Sequence, residues 1–456
     1  MNRRELLRGA GVAAGLAQTA GSSQGARAAA NDRVGVGLIG CGGQGTWDQR
    51  SFLEQPDVEI VALCDVYEPN LQRNLKMAGG KAKTYREYRR LLEDKDVQAV
   101  IIATPEHWHA LMSIDACDAG KDVYVEKPAS HHIRDGRLMV EAARRNNRVV
   151  QVGSQQRSGS HFQRAVKHVQ DGRIGDVHYV TCWNHSGAAG AGAARGSAPG
   201  NPPADLDYDL WLGPAPKLPF PEVWGRGRRV YWDFFGGMLT EWGAHLVDVA
   251  LWGMQAQEPK SVVAAGGQFR SKEGEIPDTL EVIYEFGSFL LQYSVLHHNS
   301  FGPNGDSGAA RQGSYGIQFH GTKGTLFVDR AGFRLTPQHV RREDPNHPPR
   351  PVMWVQDERQ LGYYYTTETL PEYGDSSMQH QAHARNFIDC VKSRKRPNAD
   401  IEDGHYANTT CRLGNIAYRL GRRIRWDAAR EQAIDDPEAN KLAVGTYRAP
   451  WVPKGL

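Results

Sequence analysis

The length and composition of this chain exclude several classes of protein. It has 456 residues, of which 40% are hydrophobic, 23% are charged and 50 are glycine, and this is typical of a soluble, loop-rich globular protein with two domains and appendages. The formal net charge of +3 gives no indication of a nucleic-acid partner. The six cysteines include no Cys-x-x-Cys pair, so we expect neither a metal site nor a disulfide framework.

The N-terminal 30 residues have the pattern of an export signal. Arg3-Arg4 precede a mildly apolar stretch at residues 6–20, and Ala28-Ala29-Ala30 offers a small-residue cleavage site. The segment resembles a twin-arginine signal, with an ordinary basic N-terminus as the alternative. The apolar stretch is too short to cross a bilayer, so no membrane span is expected. We therefore expect the twin-arginine export machinery as a partner, and a folded periplasmic protein whose net charge falls from +3 to 0 on cleavage after Ala30.

From Val34 onward, short β-branched runs alternate with helical patterns, which predicts a parallel sheet with crossover helices. The predicted strands cover residues 34–39, 58–64, 97–104, 122–126 and 149–153. The predicted helices cover residues 46–55, 110–119 and 134–146. We assign residues 31–153 to an α/β domain of the doubly wound Rossmann class.

Residues 154–456 have a different pattern. A helix at 161–171 and a strand at 177–183 precede a Gly/Ala-rich loop at 187–200. Alternating segments then predict antiparallel strands at 261–269, 280–286, 288–297, 316–320 and 325–329, the last two joined by a turn at Thr322-Lys323-Gly324. A proline-rich loop at 337–351 and helices at 380–393 and 403–420 complete an α+β domain.

The segment Gly40-Cys41-Gly42-Gly43-Gln44-Gly45 follows the first strand and opens a helix. In that context it predicts a dinucleotide-binding turn. Gly40 permits the tight turn, Gly42 lets the backbone approach the pyrophosphate, and Gly45 allows the helix to pack on the strand. The helix N-terminus then offers free N–H groups to the phosphates.

Asp65 ends the second strand, 20 residues beyond Gly45. We expect its carboxylate to accept hydrogen bonds from the adenosine ribose hydroxyls, which favours NAD over NADP because a 2′-phosphate would face a negative charge. Arg73 could offset this preference if it folded back towards the turn.

At Glu126-Lys127-Pro128 the chain resembles the Gfo/Idh/MocA oxidoreductase family. Further markers are Ala103-Thr104-Pro105 with His109, and the segment at residues 236–248. The resemblance spans nearly all of the chain after residue 30. It implies a Rossmann domain followed by a domain with a large, open, mainly antiparallel sheet, often paired into homo-oligomers. It also implies that Thr104, Pro105, His109, Glu126 and Lys127 contact the cofactor.

The resemblance assigns catalytic roles as well. Lys127 lies beside the nicotinamide in such enzymes and stabilises charge on the reacting oxygen. His245, which ordinarily titrates near neutrality, is suited to accept the hydroxyl proton. Glu241 lies four residues earlier, where the family usually has Asp, and on a continuous helix it would share a face with His245.

Two residues are candidates for binding the substrate. Asp248 could orient its helix or bind a substrate hydroxyl. His383, ahead of Asn386-Phe387, resembles a recurring element of exported family members, whose C-terminal helices return towards the cleft. The tryptophan-rich stretch at 224–252 could stack on sugar rings or pack in the core.

These observations predict NAD-linked oxidation or reduction of a ring secondary alcohol in a sugar, glycoside or cyclic polyol. Neither the overall charge nor the motifs indicate an acidic substrate. An exported enzyme must keep its cofactor tightly bound, with a dissociation constant of about nanomolar or lower. The alternatives are a redox-neutral glycosidase or lyase, disfavoured because Lys127 is retained, and a non-catalytic sugar sensor, disfavoured because Lys127 and His245 are both intact.

Overall fold

The computed structural model describes residues 33–186, 200–220, 227–270, 274–303, 314–338, 340–341, 365–366, 370–373 and 378–456. The predicted export signal at residues 1–30 lies outside the described residues. So do most of the predicted loops at 187–200 and 337–351.

The first sheet has six parallel strands in the order β3-β2-β1-β4-β5-β6. β1, β4 and β5 are buried at every position, because helices cover both faces of the sheet. This strand order is that of the Rossmann fold and confirms the predicted fold class. The strands are β1 (Val34–Ile39), β2 (Val58–Cys64), β3 (Lys83–Tyr85), β4 (Ala99–Ile102), β5 (Asp122–Val125) and β6 (Val150–Val152).

The helices of this half begin earlier than the hydrophobic pattern predicts. α1 starts at Gly43 and α4 at Glu106, where the sequence predicted starts at residues 46 and 110. Both first turns are poor in apolar residues because they face the cleft described below, so periodicity could not find them. The helices are α1 (Gly43–Leu53), α2 (Glu68–Met77), α3 (Tyr88–Leu92), α4 (Glu106–Asp118) and α5 (Ile133–Arg145).

The second sheet has ten strands in the order β16-β13-β12-β11-β7-β10-β9-β8-β17-β18. β10 pairs with β7 in parallel, and the other neighbouring strands with described pairings are antiparallel. The predicted turn at Thr322-Lys323 joins β11 to β12. The strands are β7 (Val177–Ser186), β8 (Ser261–Gly267), β9 (Thr279–Glu285), β10 (Leu290–His297), β11 (Tyr315–Gly321), β12 (Gly324–Asp329), β13 (Gly332–Pro337), β16 (Leu370–Tyr373), β17 (Ile424–Asp427) and β18 (Gln432–Ala433). A separate short pair consists of β14 (Val340–Arg341) and β15 (Tyr365–Thr366).

Helices cover one face of this sheet, and their apolar side chains join those of the strands in one core. On β9, Val282 and Tyr284 point into this core while Ile283 between them is exposed. The opposite face is therefore open to solvent in a single chain. The helices are α6 (Ser160–Gln170), α7 (Tyr208–Leu212), α8 (Gly237–Glu241), α9 (Gly243–Met254), α10 (Gln379–Ser393), α11 (Ile401–Leu420) and α12 (Pro437–Val444).

The C-terminal helices return to the first sheet. Phe387 of α10 packs edge-on against Phe52 and Tyr124, with ring centroids 5.9 Å from each. Arg385 of the same helix forms an ion pair with Asp57, at 2.5 Å. These contacts fix the two halves of the chain against each other. No helix within the described ranges is long and apolar enough to cross a membrane.

Candidate active site

The glycine turn is shaped to bring a ligand against the backbone. Gly40 has a φ of 90°, which favours glycine, and a Cβ there would lie 2.7 Å from the backbone of Ala103. A Cβ on Gly45 would lie 1.9 Å from the carbonyl oxygen of Gly40. On Gly42 or Gly43 it would meet nothing within 4 Å. Two glycines thus permit close packing of the turn, and two leave its outer surface free.

α1 begins inside this turn with free hydrogen-bond donors. Gly42 is the N-cap and makes no side-chain hydrogen bond, and the first turn holds no acidic residue. The backbone N–H groups and the positive end of the helix dipole therefore favour an anion in the open space above Gly42 and Gly43.

Asp65 is held at the same turn by the backbone. Its carboxylate accepts hydrogen bonds from the N–H groups of Cys41, at 2.7 Å, and Tyr67, at 2.8 Å, and burial raises its pKa. Arg73 folds back over the turn, where its Nη2 donates to the Cys41 carbonyl at 2.7 Å and to Asn70 Oδ1 at 3.0 Å. The arginine charge opposes the rise in the Asp65 pKa. Arg73 therefore partly offsets the negative charge of Asp65, on which the expected preference for NAD over NADP depends.

A cleft of about 480 Å³ opens at the carboxyl ends of β1, β2, β4 and β5. This is where parallel α/β sheets bind their ligands. Among the predicted cofactor-binding residues, Gly45 acts through helix packing and does not line the cleft. The others all line it: Gly40, Gly42, Gly43, Gln44, Asp65, Thr104, Pro105, His109, Glu126 and Lys127.

Lys127 and Glu241 form an ion pair in the wall of this cleft. Lys127 Nζ lies 3.1 Å from Glu241 Oε1 and donates a hydrogen bond to the Glu241 carbonyl oxygen at 3.2 Å. Arg229 Nη2 lies 3.9 Å from the same carboxylate oxygen. Burial acts to raise the pKa of Glu241, but the two cations outweigh it and lower the pKa. The carboxylate therefore stays ionised and fixes the position of the lysine ammonium group.

Two buried side chains hold the segment that carries Lys127. His109 bridges two loops, because its Nδ1 lies 2.8 Å from the Pro128 carbonyl oxygen and its Nε2 lies 2.9 Å from that of Thr104. Glu126 Oε2 accepts from the backbone N–H of Lys127 at 3.2 Å, and burial raises the pKa of this carboxyl group. Both residues line the cleft, but the ring nitrogens of His109 and the Oε2 atom of Glu126 bind backbone groups of the protein.

His245 lies next to this site in a buried position. It is 5% exposed, its ring centroid is 6.1 Å from that of Trp242, and its Nδ1 has no hydrogen-bond partner among the described residues. Burial, followed by the charges of Arg330 and Lys127, lowers its pKa well below the usual value. This direction differs from the expectation that His245 titrates near neutrality, and it favours the neutral imidazole.

The relation between Glu241 and His245 also differs from the expectation. Glu241 ends α8, Trp242 forms a bend, and His245 belongs to α9. The helix is therefore not continuous between the two residues, and the Glu241 carboxylate contacts Lys127. Trp242 itself keeps nearly helical dihedral angles, so the interruption is confined to this residue.

The two predicted substrate-binding residues are buried among protein partners. Asp248 is 1% exposed, and both of its oxygens accept from Arg157 Nε, at 2.9 and 2.8 Å. His383 is fully buried, with Nε2 at 2.9 Å from the Val152 carbonyl oxygen and Nδ1 at 2.8 Å from Ser158 Oγ. Since buried polar groups need partners, both residues fasten helices to the segment around β6. Neither residue is among those that line the described cleft, so the structure favours the helix-orienting alternative for Asp248, and substrate binding by Asp248 and His383 stays a prediction.

Family comparison places this cleft in a known context. The model of an oxidoreductase family with an NAD-binding Rossmann fold, Gfo/Idh/MocA, matches residues 34–154, and the model of its C-terminal alpha/beta domain matches residues 162–288 and 366–453. The chain belongs to this family.

Individual relatives are distant. Myo-inositol 2-dehydrogenase of Thermotoga maritima is 25% identical over 380 residues, which cover 82% of this chain and 92% of that protein. A glycosyl hydrolase family 109 protein of a Shewanella species is 32% identical over 174 residues, covering 32% of this chain and 38% of that protein. A solved structure of levoglucosan dehydrogenase with NADH and levoglucosan has a TM-score of 0.62 at 16% identity and covers 86% of this chain and 99% of that chain.

The cleft has the features that the cofactor of a Gfo/Idh/MocA oxidoreductase requires. The free surface at Gly42 and Gly43 and the uncapped start of α1 suit a pyrophosphate, and the Asp65 carboxylate suits ribose hydroxyls. Membership of the family and this fit agree, so the protein is an NAD-dependent dehydrogenase of the Gfo/Idh/MocA type.

Several residues of the site escaped the sequence analysis. Trp242 packs against Tyr315, with ring centroids 4.7 Å apart and the rings tilted by 38°, and the Arg330 guanidinium lies 5.0 Å from the centre of the Trp242 ring. The tryptophan-rich stretch was a signal for Trp242, but its role was left open. Arg330 lies in the turn between β12 and β13, where nothing in the local sequence indicates a role.

Glu106, at the start of α4, also escaped the sequence analysis. It is buried, forms an ion pair with Arg412 of α11, and accepts a hydrogen bond from the Gly236 N–H at 3.0 Å. Burial alone would raise its pKa, but Arg412 and His131 hold it far below the usual value. This carboxylate links the first sheet domain to the segment that precedes Glu241.

One cluster of potential metal ligands occurs within the described ranges, at Glu258, His405 and Glu431. His405 Nε2 lies 2.8 Å from Glu431 Oε1, which also accepts from Arg137 Nε at 3.0 Å. Since the arginine already neutralises that carboxylate, we interpret the cluster as an ion-pair network. The expected absence of a metal stays a prediction.

Proposed function

We propose that this protein transfers hydride between tightly bound NAD and a ring secondary alcohol or ketone of a sugar, glycoside or cyclic polyol. The observation that carries the proposal is the ammonium group of Lys127, which Glu241 fixes in the wall of the cofactor cleft at 3.1 Å. The relatives named for inositol and levoglucosan dehydrogenation support this class of substrate.

The side chains divide the chemistry between them. NAD, when bound, supplies the hydride acceptor or donor. Lys127 donates a hydrogen bond to the reacting oxygen and stabilises the negative charge that develops there. His245 is neutral, which is the form that can accept the hydroxyl proton during oxidation and return it during reduction. Glu241 orients Lys127, and His109 fixes the backbone on either side of it.

A redox-neutral glycosidase or lyase is the second candidate. In that reaction, transient oxidation of the ring acidifies a neighbouring C–H, elimination breaks the glycosidic bond, and re-reduction restores the cofactor. The Shewanella relative supports this candidate, although the match covers only 38% of that protein. A non-catalytic sugar sensor is the third. The Lys127–Glu241 pair favours hydride transfer, because a sensor has no need of a fixed ammonium group in the cofactor cleft.

The candidates are separated by one experiment. The purified protein is incubated with glycosides and cyclic polyols while bound-NAD absorbance and products are followed together. A stable NADH signal with a keto-sugar supports the dehydrogenase. Aglycone release without net NADH would reject the dehydrogenase in favour of the glycosidase. Binding without either signal would favour the sensor.

We also propose that the protein is exported to the periplasm with NAD already bound, and that it forms a homo-oligomer through the open face of the ten-stranded sheet. The Arg3-Arg4 motif and the exposed Ile283 on that face support these two proposals. Fractionation of cells expressing the wild type and an Arg3→Lys, Arg4→Lys variant tests the first: equal periplasmic yield would contradict it. Light scattering of the purified protein tests the second, which a monomer at micromolar concentration would refute.

A further inference from the structure

Arg330 is a partly buried cation near His245 that has no acidic partner among the described residues. It lies in the turn between β12 and β13 and is partly buried, and its Nε has no hydrogen-bond partner. No carboxylate in the described part of the chain forms an ion pair with it. Burial lowers its pKa, and among the described residues Tyr315 opposes that effect. Keeping an uncompensated charge out of water is unfavourable, so the position calls for a ligand.

Two acidic side chains next to this region in the described chain, Asp329 and Glu241, bind other groups. Asp329 precedes Arg330 directly, but its Oδ1 accepts the backbone N–H of Ala331 at 2.7 Å and so closes the turn. Glu241 is committed to Lys127, at 3.1 Å, and to Arg229, at 3.9 Å. Neither carboxylate neutralises the Arg330 guanidinium.

The other described neighbours of Arg330 are aromatic, neutral or positively polarised. The guanidinium lies 5.0 Å from the centre of the Trp242 ring, and burial raises the pKa of Tyr315 while the charge of Arg330 acts to lower it. His380, whose pKa is lowered by burial and by Arg330, lies in the first turn of α10. That helix has no side-chain N-cap bond, so its free N–H groups add positive potential.

Arg330 is joined to the reacting groups through Trp242. This tryptophan directly follows Glu241, which binds Lys127, and its ring centroid is 6.1 Å from that of His245. The Arg330 charge is also the largest electrostatic influence on the His245 pKa after burial. The Arg330 guanidinium therefore lies close enough to act electrostatically on a substrate that reacts between Lys127 and His245.

We propose that Arg330 binds an oxyanion substituent, a carboxylate or a sulfate ester, on the sugar that reacts at Lys127. The planar guanidinium fork suits such a group because it can donate two parallel hydrogen bonds to it. The substrate is thus an acidic sugar. This inference rests on the proposed function, since it names the class of sugar taken by the same site. It also replaces the expectation drawn from the overall charge, because a local uncompensated charge selects a ligand regardless of the net charge of the chain.

Matched sugars test the proposal. Dissociation constants for glucose, glucuronate and glucose 6-sulfate are measured by calorimetry on the NAD-loaded protein, and kcat/KM is measured for each. The two acidic sugars distinguish a carboxylate from a sulfate ester as the preferred group. Because one charge-assisted pair is gained, we expect the preferred acidic sugar to bind about 10- to 100-fold more tightly than glucose.

Variants assign the preference to Arg330. Arg330→Gln should reduce the ratio of acidic-sugar affinity to glucose affinity to about threefold or less, and Arg330→Lys should restore part of that ratio. Arg334→Gln is the matched control, because Arg334 lies on the same hairpin with an exposed side chain. Circular dichroism establishes that each variant is folded.

The outcomes separate this inference from the proposed function. Equal binding of neutral and acidic sugars by the wild type, a preference that survives Arg330→Gln, or failure of every acidic sugar to bind would each overturn the assignment of Arg330. Turnover of neutral polyols alone would uphold the dehydrogenase and reject the acidic substrate. Arg330-dependent binding of acidic sugars without any redox or cleavage product would uphold the assignment of Arg330 and reject the dehydrogenase.

Discussion

Two glycines of the same turn should respond in opposite ways to alanine. Gly42 has φ −71° and ψ −162°, an extended conformation open to any residue, and a Cβ there meets nothing within 4 Å. Gly42→Ala should therefore change the free energy of unfolding of the cofactor-free protein by about 0.5 kcal/mol or less. The new methyl group would nevertheless occupy the space in which the pyrophosphate approaches the backbone.

The expected loss of NAD affinity follows from the donors at the start of α1. If the methyl group displaces the phosphate from one charge-assisted backbone hydrogen bond, the loss is about 1.5–3 kcal/mol, or about 10- to 150-fold in the dissociation constant. Gly45→Ala is the contrasting variant. Its Cβ would lie 1.9 Å from the Gly40 carbonyl oxygen, so α1 must move. Such overpacking destabilises a protein by about 1–3 kcal/mol or more.

Urea denaturation of the cofactor-free proteins and NAD titration of the refolded proteins measure the two quantities separately. Gly42→Ala should retain the wild-type urea midpoint and bind NAD more weakly, whereas Gly45→Ala should have a lower urea midpoint and also bind NAD more weakly. The reasoning is refuted if Gly42→Ala destabilises the protein as much as Gly45→Ala does, or if it binds NAD as tightly as the wild type.

Three further predictions concern the residues around the reacting centre. Lys127→Ala should lower kcat by about 100-fold or more while NAD stays bound, measured by turnover and by cofactor content, and unchanged turnover would remove Lys127 from the mechanism. Because the pKa of His245 is depressed, its neutral form persists as the pH falls, so kcat/KM for oxidation should stay flat from about pH 8 to about pH 6; a fall centred near pH 6.5 would contradict the effect of burial and Arg330. Asp248→Asn should leave the buried Arg157 with only the more distant Asp403 carboxylate, 3.5 Å from its Nη1, and lower the free energy of unfolding by about 3 kcal/mol; weaker substrate binding at unchanged stability would support a role for Asp248 in the substrate site.

The features that the sequence located correctly are those with a local physical cause. Continuous apolar runs predict parallel strands because both faces of that sheet are covered, and the alternating pattern of the later strands reflects a sheet with one open face. The glycine turn was recognisable because it joins a strand to a helix and is followed by Asp65. Glu126-Lys127-Pro128 indicated the family, whose models match both halves of the chain.

The failures concern partners that lie far away in the chain. Asp248 and Arg157 are 91 residues apart, and His383 and Val152 are 231 residues apart. The sequence around Asp248 or His383 therefore does not show that its side chain already has a hydrogen-bond partner in the protein. The pKa of His245 depends on burial and on Arg330, which reaches it from a hairpin turn in the second sheet. A residue type indicates what chemistry is available, but its environment decides whether that chemistry is used.

The sequence by itself determined the two kinds of sheet, the cofactor turn and the presence of Lys127 and His245, because periodicity, glycine spacing and short motifs act over a few residues. Only the tertiary structure decided which polar groups remain free to act. It gave Asp248 and His383 protein partners, fixed Lys127 against Glu241, and left Arg330 without a counter-ion among the described residues. Whether a charged side chain has a counter-ion depends on its distance from other charges in the folded protein, and the sequence alone does not give those distances.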